Sequence, residues 1–567
     1  MASITILSED LVAKIAAGEV VERPASVCKE LIENSIDAGA RHVRIDVEEG
    51  GRRVIRVTDD GQGIGREDLV LACLPHATSK IASIEDLDDV ATLGFRGEAL
   101  SSIGAVSAMR ILSRPRGAEE GSEIMVRGGR LDSPRPAAVP VGTVVEVMDL
   151  FYNVPARAKF LRRASTEFRA IADMVTAIAV ARPGVGIDLR HNDRRVLNLQ
   201  PVKDAESRIA GLLGPAIRHG LRRVEGSIEG LRLLGFVSSP KESRADRRSQ
   251  YLTVRGRPIR DKTVLHAVSE AYHTYLMKGR HAIAFIYLEP RAGEVDYNVH
   301  PTKAEARFRD PTAMHALIVE SIRAVLEGDP ERRDLHVPEM KVRSEVSETA
   351  PLWGGAKKGD QTSSRPPAEE GDDGSGLDRP LKFLQVHDFF VVQEVEDGIR
   401  IIDQHALHER ILLNRLRKEI GEGEVLSQGS LVPTTIALSA GEMAIAIDRR
   451  KDLRKVGYQL EEFGDREMIL RFFPALLDGA DHSEVLRGVI SLLETKKPKA
   501  VKANVLDGIL RQMACRGAVK AGTRLRQDEI AAMLAEESRT TGSFACAHGR
   551  PTNLNFSLTD LMRQFGR

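Results

Sequence analysis

Residues 27–39 carry a clear helical pattern of apolar and polar positions. The apolar positions recur at helical spacing and are Val27, Leu31, Ile32 and Ile36. Glu30 lies four residues before Asn34 and seven before Asp37, so a helix places the three on one face. Gly39 is the residue type that commonly follows a helix end. The pattern predicts a helix packed on a sheet with an acid and an amide on its polar face, although an ordinary amphipathic helix would show it too.

Short β-branched runs alternate with the helical patterns and predict an α+β protein. Residues 43–47 and 54–57 flank a Glu-Glu-Gly-Gly stretch that is typical of a hairpin turn. Further strands are expected within 251–260, 389–395 and 400–402. The division of the chain follows from composition, because residues 334–380 are rich in Gly, Ser, Pro and charged residues and predict a flexible tether. The expected domains are therefore 1–214, 215–333 and 381–567, with the tether between the last two.

Composition narrows the class of protein. The 82 basic and 82 acidic residues balance, so any nucleic-acid binding must come from local patches. Aromatic residues make up 4% of the chain, which argues against base stacking as the main binding mode. The four cysteines are too few and too scattered for a disulfide framework. The N-terminal residues lack a signal-peptide pattern, and the apolar run 174–181 is far shorter than a membrane span. These features predict a cytoplasmic protein with no membrane association.

Four short segments have chemistry that suits a nucleotide. Residues 59–65 pair an acid, which can accept from an exocyclic amine, with glycines that allow close backbone approach. Residues 76–80 offer hydroxyls and an ammonium group, and residues 93–100 form a glycine-flanked start of an apolar helix. Gly142 and Thr143 precede the predicted strand 144–147. Each segment alone is weak evidence for nucleotide binding, but the combination of the four in this order is specific.

The region 4–309 resembles the ATPase superfamily shared by type II topoisomerases, sensor histidine kinases, heat-shock chaperones and the MutL proteins of mismatch repair. Within it, residues 15–27 and 94–100 resemble MutL in particular. The resemblance implies an ATPase sandwich of the GHKL type, a second α/β subdomain and a small α/β C-terminal dimerisation domain. It implies ATP and Mg²⁺ as cofactors.

The resemblance also assigns roles to residues of this pocket. Glu30 would activate water, Asn34 would bind Mg²⁺, and Asp59 would read adenine beside Gly63 and Thr143. The residues expected to line the phosphates under a lid are Thr78, Ser79, Lys80, Gly94, Phe95, Arg96 and Gly97. Lys303 would reach the terminal phosphate from the second subdomain. One departure is Asp60, where many relatives have asparagine.

A second group of residues has metal-ligand chemistry. His405 and Glu409 share a face of a helix expected to start near Asp403, and Cys515, Cys546 and His548 add two thiols and an imidazole, so the group suits a borderline-soft ion such as Zn²⁺. From the residues alone, these side chains are more readily buried bystanders than metal ligands. They resemble the motifs of endonuclease-bearing MutL proteins, which implies Asp403 as a catalytic-metal ligand and His405, Glu409, Cys515, Cys546 and His548 near a regulatory Zn²⁺, with Mn²⁺ supporting nicking.

Asn414 departs from that pattern because the family motif has glutamate there. Two readings stay open: an ATP-gated enzyme that nicks DNA, and an ATP-dependent matchmaker without nuclease activity. A topoisomerase-like or chaperone-like ATPase lacks support, since the C-terminal motifs fit neither class.

The resemblance also implies partners. They are DNA, the mismatch sensor MutS, and a second copy of the chain, joined through the C-terminal domain and, with ATP, through the N-terminal heads. The segment from Gln428 to Pro433 resembles a sliding-clamp motif, and a loop entering a strand is an equal alternative. The expected location is cytoplasmic, on the nucleoid during repair. Two basic groups suit a phosphate backbone, one within 157–163 and one within 244–260.

Overall fold

The protein is described from a computed structural model. The described residues are 9–80, 93–94, 97–213, 220–240, 242–244, 246–276, 279–291, 293–296, 307–327, 383–464, 467–495, 504–519, 522–546 and 551–565. Phe95, Arg96, Lys303, His548 and the predicted tether 334–380 lie outside them. Helices and sheets mix throughout, which confirms the predicted α+β class. In the described part of the chain, no helix is both long enough and apolar enough to cross a bilayer.

The N-terminal part is built on a large mixed sheet. Its strands are β1 His42–Glu48, β2 Val54–Asp59, β3 Ala108–Arg114, β4 Gly121–Arg127, β5 Arg130–Leu131, β6 Arg135–Ala137, β7 Gly142–Met148, β8 Gly186–His191 and β9 Arg194–Leu199. Their spatial order is β5-β4-β3-β7-β2-β1-β8-β9, with β6 beside β4. The helices of this part are α1 Glu9–Val20, α2 Pro24–Asp37, α3 Arg66–Ala72, α4 Ala99–Ala105, α5 Pro155–Phe160, α6 Ala164–Ala181 and α7 Ala205–Leu213.

Local sequence accounts for the helix and hairpin that the pattern predicts. Helix α2 begins at Pro24, which suits a first turn, and its apolar face is buried. Gly39, just after its end, has a φ of +73°, a left-handed conformation that favours glycine. Strands β1 and β2 pair antiparallel with Val43 opposite Asp59, so the predicted hairpin is confirmed. One boundary differs from the prediction. Gly142 and Thr143 lie inside β7 rather than before it, because both pair with β3 and Thr143 also pairs with β2.

The next part has its own sheet and core. The sheet order is β10 Leu221–Ile228, β11 Leu231–Ser238, β16 Ala284–Pro290, β13 Gln250–Val254 and β14 Arg257–Ile259. Shorter pairs are β12 Ser243–Arg244 with β15 His281–Ala282, and β17 Val295–Asp296 with β18 Arg307–Phe308. Helices α8 Lys262–Ala271 and α9 Pro311–Glu327 pack together and contribute to the core of this part.

The C-terminal part combines two sheets with helices. One sheet is β19 Phe383–Val386, β20 Phe390–Val395, β21 Gly398–Asp403 and β25 Asn553–Ser557, and the other is β22 Ser427–Ala437, β24 Glu467–Pro474 and β23 Gln459–Phe463. The helices are α10 Gln404–Glu422, α11 Ala440–Asp448, α12 Arg450–Lys455, α13 His482–Thr495, α14 Asn504–Gly517, α15 Gln527–Arg539 and α16 Leu558–Gln564. The strands predicted before α10 are confirmed.

Helix α6 of the N-terminal part packs against helix α11 of the C-terminal part. The hydroxyl of Ser165 donates to Asp448 at 2.8 Å, and Arg169 lies 3.0 Å from Glu494. Ala440 joins the hydrophobic core of the N-terminal sheet. Arg169 is buried at this contact, so its carboxylate partner offsets the cost of removing the charge from water.

Candidate nucleotide and metal sites

The polar face of α2 is tied to two loops, and with β2, β7 and these loops it forms what we call the nucleotide pocket. Lys80 Nζ donates to Asn34 Oδ1 at 2.8 Å and to Asp37 Oδ2 at 2.6 Å. Asp37 also accepts from the backbone N–H of Leu93 at 2.9 Å and of Gly94 at 3.0 Å. One helix face therefore holds both the lysine and the glycine-flanked loop in place.

Glu30 lies one turn before Asn34 on α2. Its carboxylate is 3.9 Å from Lys29 Nζ, which also lies 3.5 Å from Glu33. The Glu30 side chain is 20% exposed, so water reaches it.

Asp59 at the end of β2 is held by three donors. Oδ2 accepts from the Ser35 hydroxyl at 2.8 Å, and Oδ1 accepts from the N–H of Gly61 at 2.9 Å and of Thr143 at 3.3 Å. Burial raises the pKa of Asp59, and the hydrogen bonds from Gly61, Ser35 and Thr143 oppose that rise. Since a carboxylate has about four lone-pair sites, it retains capacity to accept one further donor.

Asp60 turns away from this carboxylate. Its Oδ1 accepts from the backbone N–H of Arg41 at 2.7 Å and of His42 at 2.9 Å, and Oδ2 lies 3.1 Å from His42 Nδ1. Burial acts to raise the pKa of Asp60, but the bonds from His42 and Arg41 outweigh it and the pKa is lowered. Asp60 thus caps the start of β1.

Two glycines of the pocket have positive φ angles and no room for a side chain. Gly63 has a φ of +75°, and a Cβ there would lie 2.2 Å from the carbonyl oxygen of Arg114. Gly97 has a φ of +62°, and its Cβ would lie 2.5 Å from the carbonyl oxygen of Ala77. Both loops therefore need glycine for close backbone packing.

The remaining phosphate candidates are partly described. Thr78 and Ser79 are exposed, and Thr78 Oγ1 accepts from the backbone N–H of Lys80 at 3.2 Å. Phe95, Arg96 and Lys303 fall outside the described residues, so their predicted roles stay predictions.

We call the candidate metal ligands Asp403, His405, Glu409, Cys515 and Cys546 the C-terminal metal set. Asp403 is the N-cap of α10 and accepts from the N–H of Ala406 at 3.0 Å, which explains why the helix starts there. His405 Nε2 lies 3.3 Å from Glu409 Oε1, and its Nδ1 lies 2.7 Å from the carbonyl oxygen of Val519. The hydrogen bond with Glu409 raises the pKa of His405.

The thiols of this set lie near that pair. Cys515 on α14 hydrogen-bonds to Glu409, and burial followed by this bond raises the pKa of Cys515 to about 12. Cys546 is buried, and its carbonyl oxygen accepts from Arg410 at 2.8 Å. Among the described residues, no three members of the set have ligand atoms that all lie within 4.8 Å of one another. His548 lies outside the described residues.

Asn414 lies beside a basic cavity of about 700 Å³. Its Nδ2 donates to the carbonyl oxygen of Thr541 at 2.7 Å. The basic residues that line the cavity are Arg410, Arg417, Lys418 and Arg539. Arg410 joins this cavity to the metal set, because it also donates to the carbonyl oxygen of Cys546.

Three family models match successive parts of the chain. They describe a histidine kinase-, DNA gyrase B- and HSP90-like ATPase over 22–127, the C-terminal domain of a DNA mismatch repair protein over 209–327, and the MutL C-terminal dimerisation domain over 383–525. The chain is 39% identical over 607 residues to the DNA mismatch repair protein MutL of Paramagnetospirillum magneticum, covering 100% of both. It belongs to the MutL family of DNA mismatch repair proteins.

A MutL of Azotobacter vinelandii is also 39% identical, over 637 residues covering 100% of this chain and 99% of that protein. A solved N-terminal domain of a DNA repair protein shares the fold with a TM-score of 0.50 and 22% identity, covering 58% of this chain and all of that one. The family and its ATPase model establish an ATPase domain in this MutL-family chain.

The pocket residues fit a nucleotide with Mg²⁺. A Cβ at Gly94 would lie 3.1 Å from Lys80 Nζ and 3.6 Å from Asn34 Oδ1, so the absent side chain leaves space beside an ammonium and an amide oxygen. Amide and carboxylate oxygens are the ligand type that Mg²⁺ takes. In the C-terminal metal set, thiol and imidazole donors together fit Zn²⁺.

The structure adds residues that the motifs left without a role. Asp37 connects α2 to Lys80, and Ser35 connects α2 to Asp59. The sequence signal for Asp37 was its position on the same helix face as Glu30 and Asn34. His408 Nδ1 accepts from the N–H of Val519 at 2.9 Å, and burial lowers its pKa to about 4. Its position inside the Asp403 motif was the available signal.

Proposed function

We propose that this MutL-family chain is an ATP-gated dimeric clamp that couples mismatch recognition by MutS to removal of the faulty strand. The observation that carries the proposal is the network in which Asn34 and Asp37 bind Lys80 and the loop at Gly94. Because one helix face ties both loops, a change in these loops on nucleotide binding reaches α2 directly. The match of 383–525 to a dimerisation domain supports a homodimer.

In this proposal, each pocket residue keeps the role that the family resemblance implies. Glu30 is the base that orients and deprotonates water, Asn34 holds Mg²⁺, and Asp59 accepts from the adenine amine beside Gly63 and Thr143. The groups assigned to the phosphates are Thr78, Ser79, Lys80, Gly94, Phe95, Arg96, Gly97 and Lys303. Bound Mg²⁺ would supply neutralisation of phosphate charge.

We further propose that the C-terminal part nicks DNA. Asp403 is assigned to a catalytic metal such as Mn²⁺, and His405, Glu409, Cys515, Cys546 and His548 are assigned to a regulatory Zn²⁺. Support comes from the contacts of Glu409 with both His405 and Cys515, and from the adjoining basic cavity, which suits a phosphate backbone.

A matchmaker without nuclease activity is the second candidate. Asn414 replaces a family glutamate, and its amide is engaged in donating to Thr541 rather than presenting a carboxylate. The loss of one negative ligand weakens a divalent-metal site, and this supports the second candidate.

Nicking of supercoiled plasmid by the full-length chain in Mn²⁺ tests the first candidate. The wild type is expected to nick, Asp403→Asn to lose nicking, and Asp397→Asn to retain it, because Asp397 is an exposed acid on the turn before β21. Intact ATP hydrolysis without nicking in the wild type would establish the matchmaker. Equal nicking by Asp403→Asn and wild type would reject the role of Asp403.

We propose that 428–433 binds a sliding clamp. The pairing of β22 with β24 breaks between Gly429 and Thr434, and Leu431 and Val432 are 101% and 74% exposed. Apolar side chains presented on such a bulge suit insertion into a partner's pocket. Leu431→Ala should abolish clamp stimulation of nicking and leave unstimulated nicking unchanged. Phe463→Ala, at an exposed residue of the same sheet, is the matched control, and equal stimulation of the two variants would reject the motif.

DNA contact is proposed through local basic surfaces. Lys159 lines a cavity of about 980 Å³ together with Arg52 and Arg127. In the second basic group, Arg257 is buried and Arg248 lies 2.5 Å from Glu494, so these two are engaged within the protein. DNA affinity should fall steeply with added salt, and a flat response would contradict backbone binding.

The domain division 1–214, 215–333, 334–380 and 381–567 is part of the proposal. The first, second and last of these segments each contain the bulk of one hydrophobic core, which supports it, although Ala440 of the last segment also joins the core of the first. Limited proteolysis should cut first within 334–380, and initial cleavage inside a sheet would argue against these boundaries.

A further inference from the structure

Two histidines and a glutamate meet where α8 packs on α9. His266 and Glu270 lie one turn apart on α8, and His315 lies on α9. His266 Nδ1 is 3.0 Å from His315 Nε2. Glu270 Oε2 is 3.5 Å from His315 Nε2 and 3.9 Å from His266 Nδ1. Among the described residues, this is the one trio of His, Cys, Asp or Glu whose ligand atoms all lie within 4.8 Å of one another.

These separations match those of a coordination shell. Around a tetrahedral zinc ion with bonds of about 2.0–2.1 Å, neighbouring ligand atoms are roughly 3.3 Å apart. The observed distances of 3.0, 3.5 and 3.9 Å bracket that value. Each neutral imidazole has one nitrogen with a free lone pair, so both rings are able to face one ion.

The surroundings favour entry and orientation of an ion. Arg323 lies 3.5 Å from Glu270 Oε1, so it holds one carboxylate oxygen and leaves Oε2 toward the histidines. The side chains of His266, Glu270 and His315 are 71%, 41% and 23% exposed. An ion therefore has access from solvent, and three protein ligands leave a position for water.

We propose that His266, Glu270 and His315 form a binding site for a divalent transition-metal ion of the Zn²⁺ class, which ties α8 to α9. Two imidazoles and one carboxylate suit Zn²⁺, Ni²⁺ or Cu²⁺ better than Mg²⁺ or Ca²⁺. The site belongs to the second sheet and is distinct from the C-terminal metal set and from the nucleotide pocket. Binding to the folded state raises the unfolding midpoint of this part by mass action.

Metal titration of the untagged full-length chain tests the site. Co²⁺ is the probe, because cysteine ligation adds a thiolate-to-metal charge-transfer band that a site of two histidines and a glutamate lacks. Wild type is expected to bind one ion more per chain than His266→Ala, and their difference spectrum should lack the thiolate band. Glu270→Gln keeps the shape of the side chain and should weaken binding at this site at least tenfold.

His273→Ala is the matched control, since His273 is an exposed histidine just beyond the end of α8. It should bind as many ions as wild type. Equal stoichiometry and affinity in wild type, His266→Ala and Glu270→Gln would overturn the proposal. A thiolate band in the difference spectrum would also overturn it, because the lost ion would then belong to the cysteines.

Discussion

Sequence motifs predict both the nucleotide pocket and the C-terminal metal set, yet the two are held together differently. In the pocket, Asp37 and Asp59 each accept three hydrogen bonds from the surrounding protein. In the metal set, Glu409 contacts His405 and Cys515, but no described trio of ligands converges. The pocket is organised by the protein itself, whereas thiol and imidazole ligands commonly converge when the ion binds.

The largest expected effect is at Glu30, the proposed base. Glu30→Gln should lower ATP turnover by about 10²–10⁴-fold, because a general base contributes that much, while nucleotide binding is kept. Glu22→Gln, at an exposed acid just before α2, is the control. Steady-state hydrolysis with equilibrium binding measures both quantities. Turnover of Glu30→Gln close to the wild-type rate would remove Glu30 from the role of base.

The second-largest expected effect concerns Zn²⁺ binding at the C-terminal metal set. Cys515→Ala should weaken Zn²⁺ binding at the C-terminal set by at least about 100-fold, because changes to outer partners already cost 10–100-fold. Cys73→Ala, at a buried cysteine after α3, should leave Zn²⁺ binding unchanged. Competition with a chromophoric chelator measures the affinity. The same affinity in both variants would mean that Cys515 is a bystander.

Adjacent aspartates provide an internal test of the nucleotide pocket. Asp59→Asn should weaken ATP binding by about 10–100-fold, the range expected for a hydrogen bond to a charged group. Asp60→Asn should have little effect on ATP binding, because that carboxylate caps Arg41 and His42. Nucleotide titration measures the ATP affinity of both variants. An equal loss of affinity in the two would contradict the assignment of Asp59 to adenine.

The smallest expected effect is a dependence of folding stability on pH, which arises from His191 in the N-terminal part. His191 stacks on Phe168 at 3.9 Å, its Nε2 has no hydrogen-bond partner among the described residues, and burial lowers the pKa of His191 to about 4. The unfolded state, with a pKa near 6.5, binds the proton first as pH falls, so stability is lost between about pH 6.5 and 4. From pH 6.5 to 5 the free energy of unfolding falls by about 1.5 kcal/mol.

His191→Phe keeps the stacking on Phe168 and removes the titrating group. Urea unfolding at pH 6.5 and 5 should show a smaller loss in this variant than in the wild type. Identical losses would mean that His191 is protonated equally in the folded and unfolded states.

Local patterns predicted elements whose partners are close along the chain. The face of α2, the β1–β2 hairpin and the start of α10 at Asp403 each depend on neighbours within a few residues, and each is present. Patterns failed where the partner is distant. Nothing near Asp60 in the sequence indicates that it caps His42 at the start of β1.

The sequence by itself determined the α+β class, the MutL family and the chemical character of both predicted sites, because residue type and short spacing carry those signals. Tertiary structure alone decided which side chains meet. It placed Lys80 against Asp37 and Val519 between His405 and His408, and it brought His266 to His315 across two helices. The reason is physical: such contacts depend on how helices and sheets pack, and packing is settled by cores assembled from residues far apart in the chain.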